Sequence, residues 1–573
     1  MTSITSKAIS RDPNNAQAPG ISVDQARESD PLSSSTNGGH YVSGAPLSST
    51  LSSAPAVYPK LSTATKIALP LLCMSGTFQQ ASAVVGVALG IRLIGDELHI
   101  PEYQLQWLQS SVSLAYACTL LLFGRCADIW GHKVFFMSGL LMAGVFNLAT
   151  GLAQTAMQIF VFRALTGAMF ACVVPAAIGI LATSFPPGPA KSRAFACFGA
   201  GAPIGNAVGL IIAGLTIRFA ATGWRTFFYV LAGTSVATGI LAYFLVPGPL
   251  LPNRKLRGQA VDIVGAFLAI SGLVLFVFAL ADGEGAPQGW KSPYIPTCLV
   301  IGVVLIAIFW MWERRLEKGE RQPPLMKVSV WKKGKFAVLQ LVTLCLFGSI
   351  TAVIFWITLY WQNYEELPVL EMTAKFVPLS VFGVSINFIL ALLVAHIPGQ
   401  YLVLVTIAGS ALSALLMAIN DPSKTYWSYQ FVSTCFTIWG ADGIMLCGTL
   451  YVSRIVGPQD QAQGGSIFNT ITQLGSSLVL ALTTIVSDSV SNKEAARLGV
   501  FVHGNRDTTT VIPKEAILKG YKAAFWMCFA FMCFSGVLTL IFLRDMGMVG
   551  SKKAKKAVAP EEEGVSLDEV SKK

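Results

Sequence analysis

The chain has 573 residues, of which 53% are hydrophobic and only 12% charged, and its mean hydropathy is +0.60. A water-soluble domain carries about 25% charged residues, so this composition excludes an ordinary soluble globular protein. The formal charge of +11 does not mark a nucleic-acid binder, because the basic residues stand in short loops between apolar blocks and form no basic groove interleaved with aromatics.

Residues 1–62 are rich in Ser, Thr, Pro, Gly and Asn and are expected to form a disordered cytoplasmic tail. They hold no apolar core of the kind a cleavable signal needs, so the first span is expected to act as an uncleaved anchor. Fourteen apolar blocks follow, each near the roughly 20 residues that cross a hydrocarbon core as a helix. They run at about 67–93, 105–124, 134–154, 157–183, 194–217, 225–247, 262–281, 294–312, 336–361, 374–396, 401–420, 427–451, 465–487 and 522–543. The expected fold class is an all-α polytopic membrane protein. Residues 63–248 form a first six-helix half, 249–335 two inserted helices and a basic loop, and 336–545 a second six-helix half. Residues 546–573 form a cytoplasmic tail of mixed charge.

Loop charges orient the spans. Arg125, Lys133, Lys191, Arg193, the cluster Arg254, Lys255 and Arg257, and the run from Arg314 to Lys335 fall on one side. Asp96, Glu97, Glu102, Asp282, Glu284, Glu365, Glu366 and Glu371 fall on the other. Basic loops stay cytoplasmic, so an even number of spans puts both termini in the cytoplasm. Arg163–Gly205 and Thr434–Gly475 share a pattern of Gly-rich span, Pro-containing turn and small-residue span. That weak repeat suggests parallel halves.

Along the spans, Gln79 and Gln80 can hydrogen-bond a cargo but cannot carry a proton. Between spans two and three, Gly124 and Gly131 let the backbone turn tightly. Asp128 can accept charge-assisted bonds from a helix N-terminus or from a basic neighbour across the half-domain interface. Arg163 lies about six residues into the fourth span, where a guanidinium faces a cavity or a partner, or snorkels to the interface. In the fifth span Gly201, Pro203, Gly205 and Gly209 permit close packing and a bend. Phe355, Trp356, Tyr360 and Trp361 favour a lipid-facing or interfacial place over a cargo contact. Asp442, deep in span twelve, suits reversible protonation, since withdrawal from water favours the neutral acid. Asn387 and Gln473 are further cavity candidates. The eleven cysteines show no metal-ligand spacing and read as packing residues. No metal site, nucleophile constellation or cofactor motif is found, which argues against an enzyme.

Gly124, Asp128, Gly131 and Lys133 resemble the cytoplasmic signature of the major facilitator superfamily, with Trp130 and His132 as departures. The resemblance implies a conformational gate there. Arg163 and Gly167 are similar to the family's fourth-span motif, implicated in proton coupling, with Thr166 where Gln is usual. Gly201, Pro203, Gly205 and Gly209 resemble its antiporter motif, from which Ala202 and Asn206 depart. Trp107 with Tyr116, and Gly223–Tyr229, resemble the fourteen-span drug:proton antiporters. Ala81 stands where those antiporters commonly have Asp, and Gln79 and Gln80 look more like the fungal aminotriazole-resistance branch. The resemblance covers about residues 65–545. It implies alternating access and export of a toxic compound or secondary metabolite, driven by inward proton movement without a cofactor. The expected partners are a small-molecule substrate, protons and the bilayer, in the plasma membrane or else a vacuolar or other internal one. A small polar cargo such as borate or ammonium is the alternative. A nutrient sensor on the same scaffold would call for long folded cytoplasmic domains, which the tails do not offer.

Overall fold

In hydrocarbon an α-helix is the one open segment that satisfies its own backbone N–H and C=O groups, and the apolar blocks accordingly fold as helices. The computed structural model describes residues 59, 61–186, 188–247, 261–283, 286, 288–319, 324–456, 461–500 and 512–547. All of the two expected tails except residues 59, 61, 62, 546 and 547 lies outside the described residues, as do Glu284 and the basic residues Arg254, Lys255, Arg257 and Arg321. Among the described residues there are sixteen α-helices and no strand. They are α1 (Thr63–Ala88), α2 (Ile91–Glu97), α3 (Trp107–Trp130), α4 (His132–Leu152), α5 (Ala156–Ser184), α6 (Pro189–Phe219), α7 (Trp224–Leu245), α8 (Ile263–Asp282) and α9 (Tyr294–Lys318). After these come α10 (Phe336–Leu359), α11 (Val369–Leu393), α12 (Gly399–Ala418), α13 (Gln430–Phe436), α14 (Trp439–Val456), α15 (Gln461–Arg497) and α16 (Lys514–Phe542).

Fourteen segments are long and apolar enough to span a bilayer, α13 and α14 together counting as one. The face where α3 turns into α4 is the turn face here, and its opposite the far face. The first span stops at Ala88, short of the expected 93, and the chain resumes as the separate helix α2. α15 runs to Arg497, ten residues past the expected end. Its last turns carry Ser487, Asp488, Ser491 and Lys493: hydropathy falls there while the helix continues.

α1 packs along α6, α3 along α5, and α4 against α5 and α7, making a first bundle. α10 packs along α15 and α16, and α12 along α16 and α14, making a second. α8 and α9 lie on one another, α8 touching α3 and α15, and the bundles adjoin where α3 meets α15 and α6 meets α11. Large apolar side chains such as Phe219, Phe244, Phe267 and Phe388 point outward, as lipid requires. Phe355, Trp356, Tyr360 and Trp361 do not: all four are buried in the second bundle, which corrects the lipid-facing expectation. Trp356 donates to Thr483 Oγ1 (3.0 Å) and Trp361 to Gln430 Oε1 (2.7 Å), so each indole N–H finds a partner indoors.

At the far face, Gly223 takes a φ of +54° and starts α7. Trp224 then donates to Glu97 Oε2 (2.5 Å), while Arg225 Nη2 meets Glu97 Oε1 (2.8 Å) and Arg225 Nη1 meets Ala153 O (2.7 Å). Burial pushes the Glu97 carboxyl up, but these hydrogen bonds outweigh it and hold the group below the usual carboxylate range.

Lipid supplies no hydrophobic drive between helices, so close backbone approach and hydrogen bonds must hold them. Gly201, Gly205 and Gly209 recur every fourth residue on α6 and all face α1. A Cβ added at each would fall 2.1 Å from Thr77 Oγ1, 2.3 Å from Phe78 O and 2.7 Å from Ser82 Cα. Ser82 Oγ donates to Gly205 O (2.8 Å) across the same contact. Gly205→Ala is therefore expected to destabilise the protein by about 1–3 kcal/mol, as overpacking does, and to lower its unfolding midpoint in detergent. Gly199→Ala, on the same helix with nothing within 4 Å of the added Cβ, should match or exceed wild type. Equal losses at both positions would show that the α1–α6 contact does not set stability.

Candidate functional site

Gly131 ends α3 and begins α4 at φ 104° and ψ 130°, a conformation that favours glycine. Its neighbours are tied within their own bundle. Asp128 Oδ1 lies 3.8 Å from His132 Nε2. The His132 ring fills the space where a Cβ on Gly179 of α5 would stand. Lys133 donates to Val246 O at the C-terminal end of α7 (2.7 Å), with its ammonium 5.5 Å from the Tyr243 ring centroid. A cation at that end suits the helix dipole. Gly124 abuts Pro175 of α5. Among the described residues, Asp128 pairs in this conformation within its own loop, with His132, one of the departures from the signature.

Arg163 is wholly buried. Its Nη1 donates to Ala83 O of α1 (2.7 Å), while Nε and Nη2 donate to Leu108 O of α3 (2.9 and 2.7 Å). The Phe228 ring of α7 lies 5.8 Å away. Among the described residues no carboxylate pairs with it. The guanidinium joins three helices of the first bundle, and a Cβ on Gly167 one turn on would stand 2.2 Å from Val112 O. Gln79 plays a similar part: its amide donates to Thr238 Oγ1 (3.0 Å) and accepts from Ser235 Oγ, both on α7. It is a tie between helices here and not a cavity group, which corrects the cargo-contact expectation. Gln80 is half-buried and makes no hydrogen bond among the described residues.

The twelfth span is broken. α13 stops at Phe436 and α14 starts at Trp439, without a proline to mark the place. Side chains from α12 take over the interrupted backbone bonds. Ser410 Oγ donates to Thr437 O (2.8 Å) and accepts from Gly440 N (2.8 Å), while Ser413 Oγ meets Thr437 Oγ1 (2.8 Å). The break puts a helix N-terminus inside the second bundle, and Asp442 sits in its first turn, where the dipole favours negative charge. Asp442 Oδ2 is buried and lacks a hydrogen-bond partner. Asn387 of α11 is its polar neighbour, itself donating to Gly383 O (3.0 Å). Asp442 and Asn387 are thus brought together, whereas Arg163 belongs to the other bundle.

Polar bonds join the bundles toward the far face. Asn469 of α15 donates to Tyr116 OH of α3 (3.3 Å), and Ser477 Oγ to Ser110 O (3.2 Å). Gln473, half-buried, stands on α15 between these rungs. Beyond them α10 ends in a π-helical turn, Tyr360–Tyr364. From it Gln362 donates to Ala88 O (3.2 Å) and Leu89 O (2.9 Å) and accepts from Arg92 N (3.2 Å). Asn363 donates to Tyr521 OH (2.9 Å), which donates to Glu102 Oε1 (2.9 Å). Residue-by-residue reading missed this lock, since Gln362, Asn363 and Glu102 look like ordinary loop polarity. The interruption of the apolar run by Gln-Asn beside two aromatics was the available signal.

Comparison with known proteins puts a family on this architecture. The Major Facilitator Superfamily profile matches residues 71–480. The chain is 28% identical to "MFS-type transporter 1" of Pyricularia oryzae, over 79% of this chain and 80% of that protein. It is 27% identical to a "Low affinity ammonium transporter" of Saccharomyces cerevisiae, over 75% and 82%. It is 26% identical to "Efflux pump terJ" of Aspergillus terreus, over 82% and 86%. Among solved structures, a bacterial homologue of the human lysosomal transporter Spinster, in an inward-facing and unoccupied conformation, aligns with a TM-score of 0.58. That alignment has 14% identity and covers 85% of this chain and 99% of the other. With fourteen spans, two adjoining bundles and a profile match over most of its length, the chain belongs to the major facilitator superfamily.

Proposed function

We propose that this chain is a secondary active transporter that exports a toxic compound or secondary metabolite in exchange for protons. The observation that carries the proton half of this reading is Asp442, a carboxylate with an unpartnered buried oxygen at a helix start in mid-span. Discontinuous helices of this kind hold substrate and coupling-ion sites in transporters. Gln80, Asn387 and Gln473 offer the polar contacts for cargo from both bundles. The halves, 63–248 and 336–545, rock about this centre, with residues 249–335 peripheral. Gly124, Asp128, Gly131 and Lys133 form the gate on the turn face. Arg163 and the stripe Gly201, Pro203, Gly205 and Gly209 keep the first bundle rigid as it tilts. The far-face lock closes the opposite side. The relative named an efflux pump supports outward transport. The basic loops support a cytoplasmic turn face and cytoplasmic termini, and the plasma membrane is the membrane proposed.

A second reading, transport of a small polar solute, draws on the relative named as an ammonium transporter. Proteoliposomes separate the two: a pH gradient should drive accumulation of an amphipathic toxicant, and labelled methylammonium should not compete.

Asp442→Asn should abolish the drive from a pH gradient while leaving cargo exchange down its own gradient intact. Gradient-driven transport by that variant would remove Asp442 from the coupling role. Tyr521→Phe deletes the hydroxyl between Asn363 and Glu102, a loss of about 1–1.5 kcal/mol. The far-face-open population should then rise roughly tenfold. Pulsed spin-label distances between positions 96 and 424, exposed on opposite bundles, would report it as a longer component, and an unchanged distribution would count against the lock.

A further inference from the structure

Away from the path, at the turn-face end of the α8–α9 pair, two carboxylates share a dry site. Asp262 caps α8, its Oδ1 accepting from Gly265 N (2.9 Å), and Trp312 of α9 donates to both of its oxygens (3.1 Å each). Glu313, next to that tryptophan, is fully buried, and Asp262 is 3% exposed. Glu313 Oε2 accepts from Met326 N (3.2 Å) in the linker toward α10. Its Oε1 is buried with no hydrogen-bond partner among the described residues. A Cβ on Gly265 would stand 2.2 Å from Asp262 Oδ2 and 2.9 Å from Glu313 Oε1. The two oxygens therefore crowd a single point above a glycine that has no side chain to separate them.

Two ionised carboxylates so placed repel strongly where water is scarce, and one proton between them turns the repulsion into a hydrogen bond. Among the described residues, the charged groups acting on Glu313 from around it are Asp262 and Glu317, both acidic. Glu317 is itself engaged by Ser329 N (3.2 and 3.1 Å), and the linker that follows carries Lys327, Lys332, Lys333 and Lys335. We propose that Asp262 and Glu313 form a proton-binding site, holding one proton as a carboxyl–carboxylate pair that fastens the α8–α9 pair to the second bundle.

The fastening runs through named bonds. Trp312 and Asp262 tie α9 to α8, Glu313 ties α9 to the linker at Met326, and Gln463 of α15 donates to Leu325 O (3.0 Å) one residue away. With the proton bound, the joint is closed. As pH rises and the proton leaves, the second charge forces Glu313 out of its pocket, and the tie at Met326 goes with it. The site needs no cargo and is separate from Asp442, so its failure would not touch the transport reading.

Glu313→Gln tests this in the full chain, because the amide keeps an acceptor for Met326 N and supplies a permanent donor toward Asp262. In the infrared spectrum of purified protein at neutral pH, wild type minus Glu313→Gln should show a carboxylic-acid C=O band, and wild type minus Asp262→Asn should show the same band lost. The unfolding midpoint of wild type should fall by several degrees more than that of Glu313→Gln between about pH 6 and about pH 9. Difference spectra showing only carboxylate bands, or parallel pH profiles, would overturn the proposal. A wild-type midpoint that drops on chelation and recovers with calcium, in a way Glu313→Gln does not, would also overturn it, by putting a metal cation where the proton is placed.

Discussion

Every backbone N–H and C=O that lies in hydrocarbon must find its partner within the protein, and this constraint decides where the chain can be irregular. Thirteen of the fourteen spans meet it without a break in mid-span; the exception is the twelfth, where α13 gives way to α14. There the Ser410 hydroxyl bonds the free backbone groups at Thr437 O and Gly440 N, and Ser413 bonds the Thr437 hydroxyl beside it. The same hydroxyls that make the break tolerable create a helix start in the interior, and Asp442 occupies it. A carboxylate at that depth is therefore not an isolated defect. It depends on a neighbouring helix whose serines are spaced one turn apart.

Within each bundle, the ties are of a kind that does not open. Glycines bring backbones into contact along α1–α6 and again where α10 crosses α15, where a Cβ on Gly348 would stand 2.3 Å from Gly475 O. Arg163 spends all three of its hydrogen bonds on carbonyls of α1 and α3. Removing the guanidinium would leave the buried carbonyls of Ala83 and Leu108 without their donor, at a cost of about 1–3 kcal/mol each. Gln79, satisfied at both ends by α7, belongs to the same class. Each bundle is thus held together as one packed unit.

The number of spans, their approximate places, the family and the tight turn at Gly131 were legible in the sequence, because lipid imposes a length and a composition that survive any packing. Side-chain roles were less so. Gln79 and Gln80 are adjacent and chemically identical, yet about 100° of helix rotation sends one into α7 and leaves the other half-buried. His132 reads as a departure from a motif and turns out to be the partner of Asp128. The aromatics from Phe355 to Trp361 look like an interface belt in one dimension, and only the neighbours Thr483 and Gln430 reveal them as interior. The break before Asp442 left no trace because Ser and Thr are unremarkable in a span until their partners are known.

Between the bundles the bonding changes character. Tyr116 with Asn469, and Gln362 with Ala88 and Leu89, are neutral hydrogen bonds between groups that water can serve equally well, and Tyr521 donates across to the Glu102 carboxylate. Each neutral bond is worth about 0.5–1.5 kcal/mol net, so the lock as a whole amounts to a few kcal/mol. That is the scale on which a ligand's differential affinity moves a two-state equilibrium. The seam also holds a close glycine contact, a Cβ on Gly214 of α6 standing 2.1 Å from Thr373 Oγ1 of α11, while its hydrogen bonds can be replaced by water, which a purely apolar seam would not gain from. Polar, hydratable and few in number, the contacts at the far face are weak beside the ties that hold each bundle together.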